Sequence, residues 1–259
     1  MGKLQDRVAF LTGASGGIGG ETALLFAKEG AHVGLAARSV DKLNALAEKI
    51  KASGRKAVVC RCDVTKNDDI VNAIRRTVKE LGPIDILVNC AGIVSFEPVH
   101  RLPDEVWQRT IQINLTAPFV AIREVLPSMI ERKKGRIINV VSVSGKVGLP
   151  YRSAYAASKH GALGLTKSLA AEVAPLGITA NSICPTFVTT AMFEESIQKW
   201  ADETGKSFKE MSEELRSKVP IKRFIDPWEV APLALLLASD ESAGMTGQSI
   251  NVDGGFLQY

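Results

Sequence analysis

The sequence predicts an α/β protein built on one doubly wound parallel sheet of about seven strands, with helices on both faces and a small helical lid. Along its 259 residues, short runs that are apolar throughout alternate with longer segments of helical periodicity. This alternation is typical of a parallel sheet that helices cover on both faces. Neither a repeat nor a low-complexity linker interrupts it, so we predict a single domain over residues 1–259.

Each predicted strand is a short apolar run, and each predicted helix is a longer segment of mixed polarity. The strands are predicted at residues 8–12, 33–37, 57–62, 84–89, 136–142, 178–184 and 249–252. The helices are predicted at residues 18–29, 40–53, 67–81, 104–114, 117–133, 153–173 and 228–238. Strands that are joined through helices in this way pair in parallel by right-handed crossovers.

Residues 187–222 depart from the alternation because they are polar and charged, with scattered aromatic side chains. We predict one or two helices in this segment, outside the sheet, which form a substrate lid. The segment follows the sixth strand, and chain beyond the carboxyl ends of strands borders the ligand crevice of an open α/β sheet. A solvated excursion without a role in ligand binding is the alternative interpretation.

Composition and charge argue against several classes of function. The net charge is +4, from 32 basic and 28 acidic side chains, and the dense basic run at residues 132–136 is typical of a solvated turn rather than a nucleic-acid site. No apolar stretch is long enough to predict a membrane span. The cysteines Cys60, Cys62, Cys90 and Cys184 form no C-x-x-C pair and no cluster with histidine, so no metal site is expected. Free thiols favour a cytoplasmic location.

The stretch LTGASGGIGG at residues 11–20 allows two interpretations. Residues 13–17 match G-x-S-x-G, which would make Ser15 the nucleophile of a serine hydrolase and would require an oxyanion donor after an earlier strand. Ten residues precede this stretch, too few for a strand before the one that leads into the turn. Alternatively, Gly13, Gly17 and Gly19 form a glycine-rich turn between the first strand and the first helix. Such a turn suits the pyrophosphate of a dinucleotide in a Rossmann-type fold.

The end of the second predicted strand indicates which dinucleotide would bind. An acidic residue about twenty positions after the glycines would accept the 2′-hydroxyl of the adenosine ribose and favour NAD(H). Ala37 and Arg38 occupy this position, and the next acid is Asp41. The guanidinium of Arg38 can hold a 2′-phosphate instead. We therefore predict a preference for NADP(H), with a helix-capping role for Arg38 as the alternative.

A second set of polar residues predicts proton transfer. Tyr155 and Lys159 are four positions apart in a segment of helical character, which places them on one helix face. A neighbouring ammonium favours the phenolate form of a tyrosine. Ser142 ends the fifth predicted strand, at the edge where ligands bind, and Asn114 ends the predicted helix at 104–114. These residues would supply a hydroxyl donor, a proton donor and a cation beside a nicotinamide.

Together these motifs resemble the short-chain dehydrogenase/reductase family over essentially the whole chain. The matching features are TGASGGIG at 12–19, Asp63, NCAG at 89–92, Asn114, Ser142 and YAASK at 155–159. The resemblance implies that Tyr155 exchanges the proton at the substrate oxygen while hydride moves to or from the nicotinamide. Ser142 would position that oxygen and Lys159 would hold the nicotinamide ribose. Asn114 would hold a water that links Lys159 to bulk solvent.

The resemblance also implies a set of cofactor-binding residues, in which Asp63 reaches the adenine and Asn89 lines the cofactor groove. The predicted set is Gly13, Ser15, Gly17, Ile18, Gly19, Arg38, Asp63, Val64, Asn89, Ala91, Gly92, Tyr155, Lys159 and Pro185. Two positions depart from the family pattern. Cys90 replaces the second residue of NNAG, and Thr186 replaces the glycine that follows Pro185. We expect Cys90 to change local packing or a cofactor contact, and Thr186 to shift the backbone beside the nicotinamide.

The substrate is expected to be a mostly apolar carbonyl compound or secondary alcohol. The predicted pocket residues are Phe96, Ser144, Val147, Leu149, Tyr151, Phe187, Met192, Phe193 and Trp200. Residues 220–224 and 251–255 are similar to those of 3-oxoacyl carrier-protein reductases, which favours ketoreductase activity on a 3-oxoacyl thioester or a related ketone. NAD-dependent oxidation of a hydroxyacid such as 3-hydroxybutyrate, or of another secondary alcohol, is one alternative. A nucleotide sensor without turnover is another.

The helix predicted at 153–173 favours self-association. Small residues at Ala154, Ala157, Gly161 and Gly164 permit close approach of a second surface, although packing on the chain's own sheet would use the same residues. In similar proteins this helix pairs across a dimer and the final strand helps to build a tetramer, so the resemblance implies a homotetramer. An acyl carrier protein is compatible with the basic net charge, but no residue pattern supports it as a partner.

Overall fold

Seven parallel strands form one sheet in the computed structural model of the chain, which describes residues 2–258. The strands are β1 (Val8–Thr12), β2 (His32–Ala37), β3 (Ala57–Arg61), β4 (Ile86–Asn89), β5 (Gly135–Val140), β6 (Ile178–Pro185) and β7 (Ser249–Val252). Their order across the sheet is β3-β2-β1-β4-β5-β6-β7, so the direction of winding reverses between β1 and β4. Ligands of open α/β sheets bind in the crevice at such a reversal. The predicted doubly wound parallel sheet is confirmed.

Helices cover both faces of the sheet. The helices are α1 (Gly17–Lys28), α2 (Val40–Ala52), α3 (Asn67–Leu81), α4 (Asp104–Ile111), α5 (Ala117–Arg132), α6 (Ser153–Val173), α7 (Ala191–Thr204), α8 (Phe208–Lys218) and α9 (Pro227–Ala238). Buried apolar side chains of α1, α2 and α9 form the core on one face, and those of α3, α5 and α6 form the core on the other. The central strands lie between these two cores and are buried on both sides, which explains why they are mostly apolar.

One predicted helix differs from the structure by more than two residues at an end. The segment predicted at 104–114 contains α4 up to Ile111, and Gln112–Thr116 then forms a π-helical turn that leads directly into α5. Asn114 therefore lies inside a continuous helical stretch rather than at the end of a helix. Turns of this type widen the helix locally and occur frequently at functional sites.

The fifth strand ends two residues earlier than predicted, because the chain turns at Ser142. The last ladder hydrogen bond runs from the Val141 N–H to the carbonyl of Ile183, at 2.8 Å. The Ser142 hydroxyl oxygen then accepts the N–H of Ser144 at 3.1 Å and starts a short 3-10 turn. This turn holds Ser142 at the carboxyl edge of the sheet.

The segment at 187–222 forms two helices outside the sheet, α7 and α8. They pack around a separate apolar cluster that includes Phe187, Ile197 and Leu215. The two ends of the segment meet at its base, where Val188 and Ile225 pair as a single parallel bridge. The segment is therefore a packed unit over the carboxyl ends of the strands, consistent with the lid geometry that we predicted.

The helical stretch Asp104–Arg132 is long and apolar enough to cross a membrane by length and composition, whereas the sequence predicted no such stretch. In the fold, seven side chains of its α5 portion are buried. This portion packs against α3, β4 and β5. These contacts explain its apolar composition as that of a core helix.

Candidate active site

A cavity of about 530 Å³ lies over the carboxyl ends of the central strands, at the winding reversal. This volume lies within the range of small-molecule sites. The loops after the first six strands, β1 to β6, line it, together with the N-terminal part of α7. A second cavity of about 310 Å³ shares Ile93, Met192 and Ser196 with the first and extends it beneath the lid.

The turn between β1 and α1 accepts only glycine at two positions, for steric reasons. Gly13 has a φ of +69°, and a Cβ there would lie 2.7 Å from the backbone nitrogen of Ala91. A Cβ on Gly19 would lie 2.5 Å from the carbonyl oxygen of Gly13. Gly13, Gly16 and Gly17 line the cavity at the N-terminus of α1, whose first turn contains no acidic residue. This arrangement fits a pyrophosphate, because backbone N–H groups and the helix dipole both favour an anion.

Basic and polar groups line the cavity at the end of β2. Arg38, Ser39 and Lys42 all face it, whereas Asp41 does not. Across the cavity, the Asp63 carboxylate accepts the N–H of Thr65 at 3.0 Å and its hydroxyl at 2.8 Å. These hydrogen bonds, with a smaller contribution from the nearby Arg38 guanidinium, hold the pKa of Asp63 below its usual value. This end of the cavity therefore combines a carboxylate that is held by hydrogen bonds with two cations, Arg38 and Lys42.

Ser142, Tyr155 and Lys159 all line the same cavity. Tyr155 lies in the first turn of α6 and Lys159 in the next, so their side chains project from one helix face. The Lys159 ammonium is buried, donates to the Val140 carbonyl at 3.2 Å, and lies 5.7 Å from the centroid of the Tyr155 ring. The Ser142 oxygen accepts a backbone N–H, which leaves its own proton free to donate to a ligand.

Asn114 lies behind this group and does not line the cavity. Its Oδ1 accepts the N–H of Ile93 and its Nδ2 donates to the carbonyl of the same residue, both at 2.9 Å. Nδ2 also donates to the hydroxyl of Ser158 at 3.0 Å. Asn114 thus ties the loop after β4 to α6, next to the Lys159 ammonium, since both Asn114 Oδ1 and Lys159 Nζ flank Gly92. In this geometry Asn114 positions Ile93 and Ser158 through its hydrogen bonds. The water that Asn114 was predicted to hold stays a prediction.

Most of the predicted cofactor residues line the cavity, and two do not. Those that line it are Gly13, Ser15, Gly17, Ile18, Arg38, Asp63, Val64, Ala91, Gly92, Tyr155, Lys159 and Pro185. Gly19 instead packs against Gly13, as described above. The prediction that Asn89 lines the cofactor groove is wrong. Asn89 is 3% exposed and donates to the Asn139 side chain at 2.9 Å. It joins β4 to β5 beneath the cavity rather than facing a cofactor.

The predicted substrate residues divide into three groups. Ser144, Leu149, Phe187, Met192 and Phe193 line the main cavity, and Phe96 lines the adjoining one. Val147, Tyr151 and Trp200 line neither cavity. The Tyr151 ring packs on Phe96 at a centroid distance of 5.3 Å and is otherwise exposed, and the Trp200 ring packs on the far side of Phe96 at 5.4 Å. Both aromatic rings therefore support the wall from behind.

The structure adds cavity residues that we did not predict. Lys42 lies in the first turn of α2, four positions after Arg38, and this pair of basic residues could have indicated a shared ligand. Arg152 lies three positions before Tyr155, and this spacing could also have indicated that the two residues share a ligand. Thr190 and Ser196 come to the cavity only because α7 folds back over the strands, and no local pattern in the sequence indicates this.

The two departures from the family pattern occupy the edge of the cavity. The backbone N–H groups of Cys90 and Ala91 both donate to the Thr12 hydroxyl, at 3.1 and 3.2 Å. Burial raises the pKa of the Cys90 thiol to about 12, so it is protonated and a poor nucleophile at neutral pH. Thr186 is buried and donates a long 3.4 Å hydrogen bond to Val252, and the next residue, Phe187, has a φ of +44°. Strained backbone of this kind concentrates at ligand sites.

The hydrolase interpretation of the glycine turn is not supported by the structure. A serine nucleophile needs a histidine within hydrogen-bond distance. None of the three histidines, His32, His100 and His160, lines the cavity that contains Ser15. Ser15 is therefore placed to contact a ligand without a base to activate it.

Comparison with known proteins agrees with this geometry. A family model described as short chain dehydrogenase matches residues 7–201. The 3-oxoacyl-(acyl-carrier-protein) reductase of Thermotoga maritima is 39% identical over 98% of this chain and 99% of its own, and D-beta-hydroxybutyrate dehydrogenase of Rhizobium meliloti is 38% identical over 96% and 98%. The crystal structure of an actinorhodin polyketide ketoreductase variant with NADPH matches over 100% of both chains, with a TM-score of 0.95 and 36% identity. The chain therefore belongs to the short-chain dehydrogenase/reductase family.

Proposed function

We propose that the chain is an oxidoreductase that transfers hydride between NADP(H) and a carbonyl carbon or secondary alcohol, with Tyr155 as the general acid and base. The observation that carries this proposal is that one cavity contains a pyrophosphate cradle and, beside it, Ser142, Tyr155 and Lys159. The nicotinamide supplies the hydride when it is bound. A nucleotide sensor would need the cradle alone, so the hydroxyl, phenol and ammonium favour turnover.

The chain's own groups account for the proton and the orientation of the substrate. The Ser142 hydroxyl donates to the substrate oxygen and fixes its position, and the Tyr155 phenol donates or accepts the proton at the same oxygen. The Lys159 ammonium, anchored on the Val140 carbonyl, favours the phenolate after proton transfer. Asn114 keeps Gly92 and α6 at a fixed separation, so that the ammonium stays beside the ring.

The preference for NADP(H) is supported by three groups at the end of β2. A 2′-phosphate would meet the guanidinium of Arg38, the hydroxyl of Ser39 and the ammonium of Lys42, all of which line the cavity. The Ser39 hydroxyl makes no capping hydrogen bond to α2, so it is available to a ligand. Ala37 is buried and apolar and offers no acceptor to a ribose 2′-hydroxyl. The NADPH in the structure of the similar ketoreductase supports the same assignment.

We expect Arg38→Ala to reduce the ratio of kcat/KM with NADPH to kcat/KM with NADH by about 10–100-fold, because hydrogen bonds to a charged group contribute about 1.5–3 kcal/mol each. Activity with NADH should change little. Lys49→Ala is the matched control, since Lys49 is an exposed cation of α2 outside the cavity. An Arg38→Ala enzyme that keeps its preference for NADPH would contradict the cofactor assignment.

The names of two similar proteins indicate the substrate class. One relative is named as a 3-oxoacyl-(acyl-carrier-protein) reductase and another as a D-beta-hydroxybutyrate dehydrogenase. We therefore propose a 3-oxoacyl compound or a related ketone, and a free hydroxyacid as the second candidate because a cation faces the substrate end of the cavity.

All four cysteines are free, which supports a reducing, cytoplasmic location.

We propose a homotetramer, which two exposed surfaces support. On α6, Ala157 is exposed and a Cβ on Gly164 would meet no atom within 4 Å, whereas Ala154 is buried and a Cβ on Gly161 would meet Leu115 of the same chain at 2.8 Å. Trp107 and Phe119 are exposed on the neighbouring helices. The second surface is the edge strand β7, because an unpaired strand edge favours association.

Light scattering should therefore give a mass of about four times 27.8 kDa. Gly164→Arg should reduce the mass to that of a smaller species, because its side chain would enter the open face of α6. The same substitution at the exposed Gly148, which lies outside both surfaces, serves as the control. A monomeric wild-type protein at micromolar concentration would contradict the proposal.

A further inference from the structure

We propose that Arg152 is an anion receptor inside the active-site cavity, and that the physiological substrate is a short oxo acid or hydroxy acid whose carboxylate binds to it. The proposal rests on the proposed function, because it names the substrate of the same site. It assigns to Arg152 a direct contact with substrate and therefore the role of a specificity-determining residue.

The Arg152 guanidinium is buried without a counter-charge. The residue is 7% exposed, and its Nε has no hydrogen-bond partner. Its described hydrogen bond is a long one, 3.3 Å from Nη2 to the hydroxyl of Ser196. Within residues 2–258, none of the ion pairs includes Arg152. A guanidinium has five N–H donors, and leaving a buried charge unpaired is costly.

The other two buried arginines of the chain show which partners a buried structural guanidinium has in this fold. Arg7 is 9% exposed and Arg136 is 7% exposed, and both form ion pairs with Asp240. Each also donates to a main-chain carbonyl, that of Ala238 for Arg7 and that of Ser239 for Arg136. Arg152 is equally buried but lacks both kinds of partner. Its counter-charge is therefore expected to come from outside the chain.

The position of Arg152 relative to the reacting groups indicates which ligand would supply that charge. Arg152 lines the main cavity together with Ser142 and Tyr155. It directly precedes α6, three residues before Tyr155, so the two side chains lie about one helical turn apart on the same side of the helix. An anion bound to Arg152 would thus be separated from the reacting oxygen by a few bonds. A carboxylate at that distance belongs to a short oxo acid, whereas a thioester offers no charge there.

Charges around the cavity agree with an anionic substrate. Arg109 lines both cavities and is exposed at their junction. Two carboxylates also line this end, those of Glu97 and the exposed Glu195, and neither forms an ion pair with Arg152 in residues 2–258. The aromatic ring of Trp200 lies 5.0 Å from the Arg152 guanidinium carbon and covers one of its faces. The Nε of Arg152 has no partner, and the fork of N–H donors of a guanidinium matches the two oxygens of a carboxylate.

The test compares a charged and a neutral substrate in the same enzyme. The acid arm is 3-oxobutanoate and the neutral arm is its methyl ester, both assayed with NADPH. Arg152→Gln should lower kcat/KM for the acid by about 100-fold, the loss typical when one partner of a buried charge pair is removed. It should change kcat/KM for the ester by less than threefold. Arg152→Lys should retain part of the acid activity, because it keeps the charge but not the fork. Arg61→Gln removes an exposed guanidinium that lies outside both cavities, and it should change acid activity by less than threefold.

A binding arm separates failure of the inference from failure of the proposed function. Isothermal titration of the NADPH-bound enzyme with butanoate and with butanamide needs no turnover, and we expect the wild type to bind the carboxylate at least 10-fold more tightly than the amide. In Arg152→Gln this preference should disappear. Equal losses for acid and ester, or no preference for butanoate in the wild type, would overturn the role of Arg152 and leave the reductase assignment intact. Failure to reduce either substrate, with a carboxylate preference that depends on Arg152, would instead support the receptor and count against the proposed reaction.

Discussion

We expect Tyr155→Phe to lower kcat by about 10³-fold, within the range that a positioned general acid or base contributes. The substitution removes one oxygen atom and keeps the ring that Lys159 approaches to 5.7 Å. The ring lies in the first turn of α6, away from the glycine turn that would hold the pyrophosphate. The affinity for NADPH, measured by fluorescence titration, should therefore change by less than threefold.

Tyr151→Phe provides a matched control for this experiment. Tyr151 is another tyrosine close to the N-terminus of α6, but its side chain is 42% exposed and lines neither cavity. Removal of its hydroxyl should leave kcat within a factor of two. A Tyr155→Phe enzyme with full activity would contradict the proton-transfer role, and comparable losses in both variants would indicate a general effect on the start of α6.

The sheet was predictable because a strand that is buried on both faces must be apolar at every position. The four-residue β7 is different, because polar Ser249 and Asn251 alternate with Ile250 and Val252 and all four residues are only partly buried. Ends of elements were harder, because single side chains decide them. The Ser142 hydroxyl turns the chain before the predicted end of β5, and the π-helical turn at Gln112–Thr116 places Asn114 within a helix. The sequence shows which residues are present but not which hydrogen bonds they form.

The same limit applies to the candidate site. Residues near a strand end or within one helix turn were predicted together, because local geometry brings them together. Asn89 was misplaced because its position at the end of β4 is equally compatible with facing the cavity and with joining β5, and only the side-chain partner, Asn139, distinguishes the two. The lid residues were partly misassigned for a related reason. Whether an aromatic ring faces the cavity or supports its wall depends on the packing of α7, which no spacing in the sequence reveals.

Stability offers a test of the glycine turn that does not depend on activity. We expect Gly13→Ala to lower the free energy of unfolding by about 2–5 kcal/mol, which combines the cost of a left-handed residue with that of a forced contact. The φ of Gly13 is +69°, and the added Cβ would lie 2.7 and 2.8 Å from the backbone N and Cα of Ala91. For a chain of this length such a loss lowers Tm by about 10 °C. The loop after β4 must move, so NADPH binding should weaken as well.

Gly54→Ala separates the cost of a left-handed backbone conformation from the cost of the forced contact. Gly54 has a similar φ of +79°, but a Cβ there would meet no atom within 4 Å. Its substitution should therefore carry only the conformational cost of about 1–2 kcal/mol and leave NADPH binding unchanged. Both Tm values should be measured at one protein concentration, because oligomerisation shifts apparent stability. If Tm decreases by the same amount in the two variants, the contact between the glycine turn and the loop after β4 does not make Gly13→Ala more costly. Position 13 would then not require glycine for steric reasons.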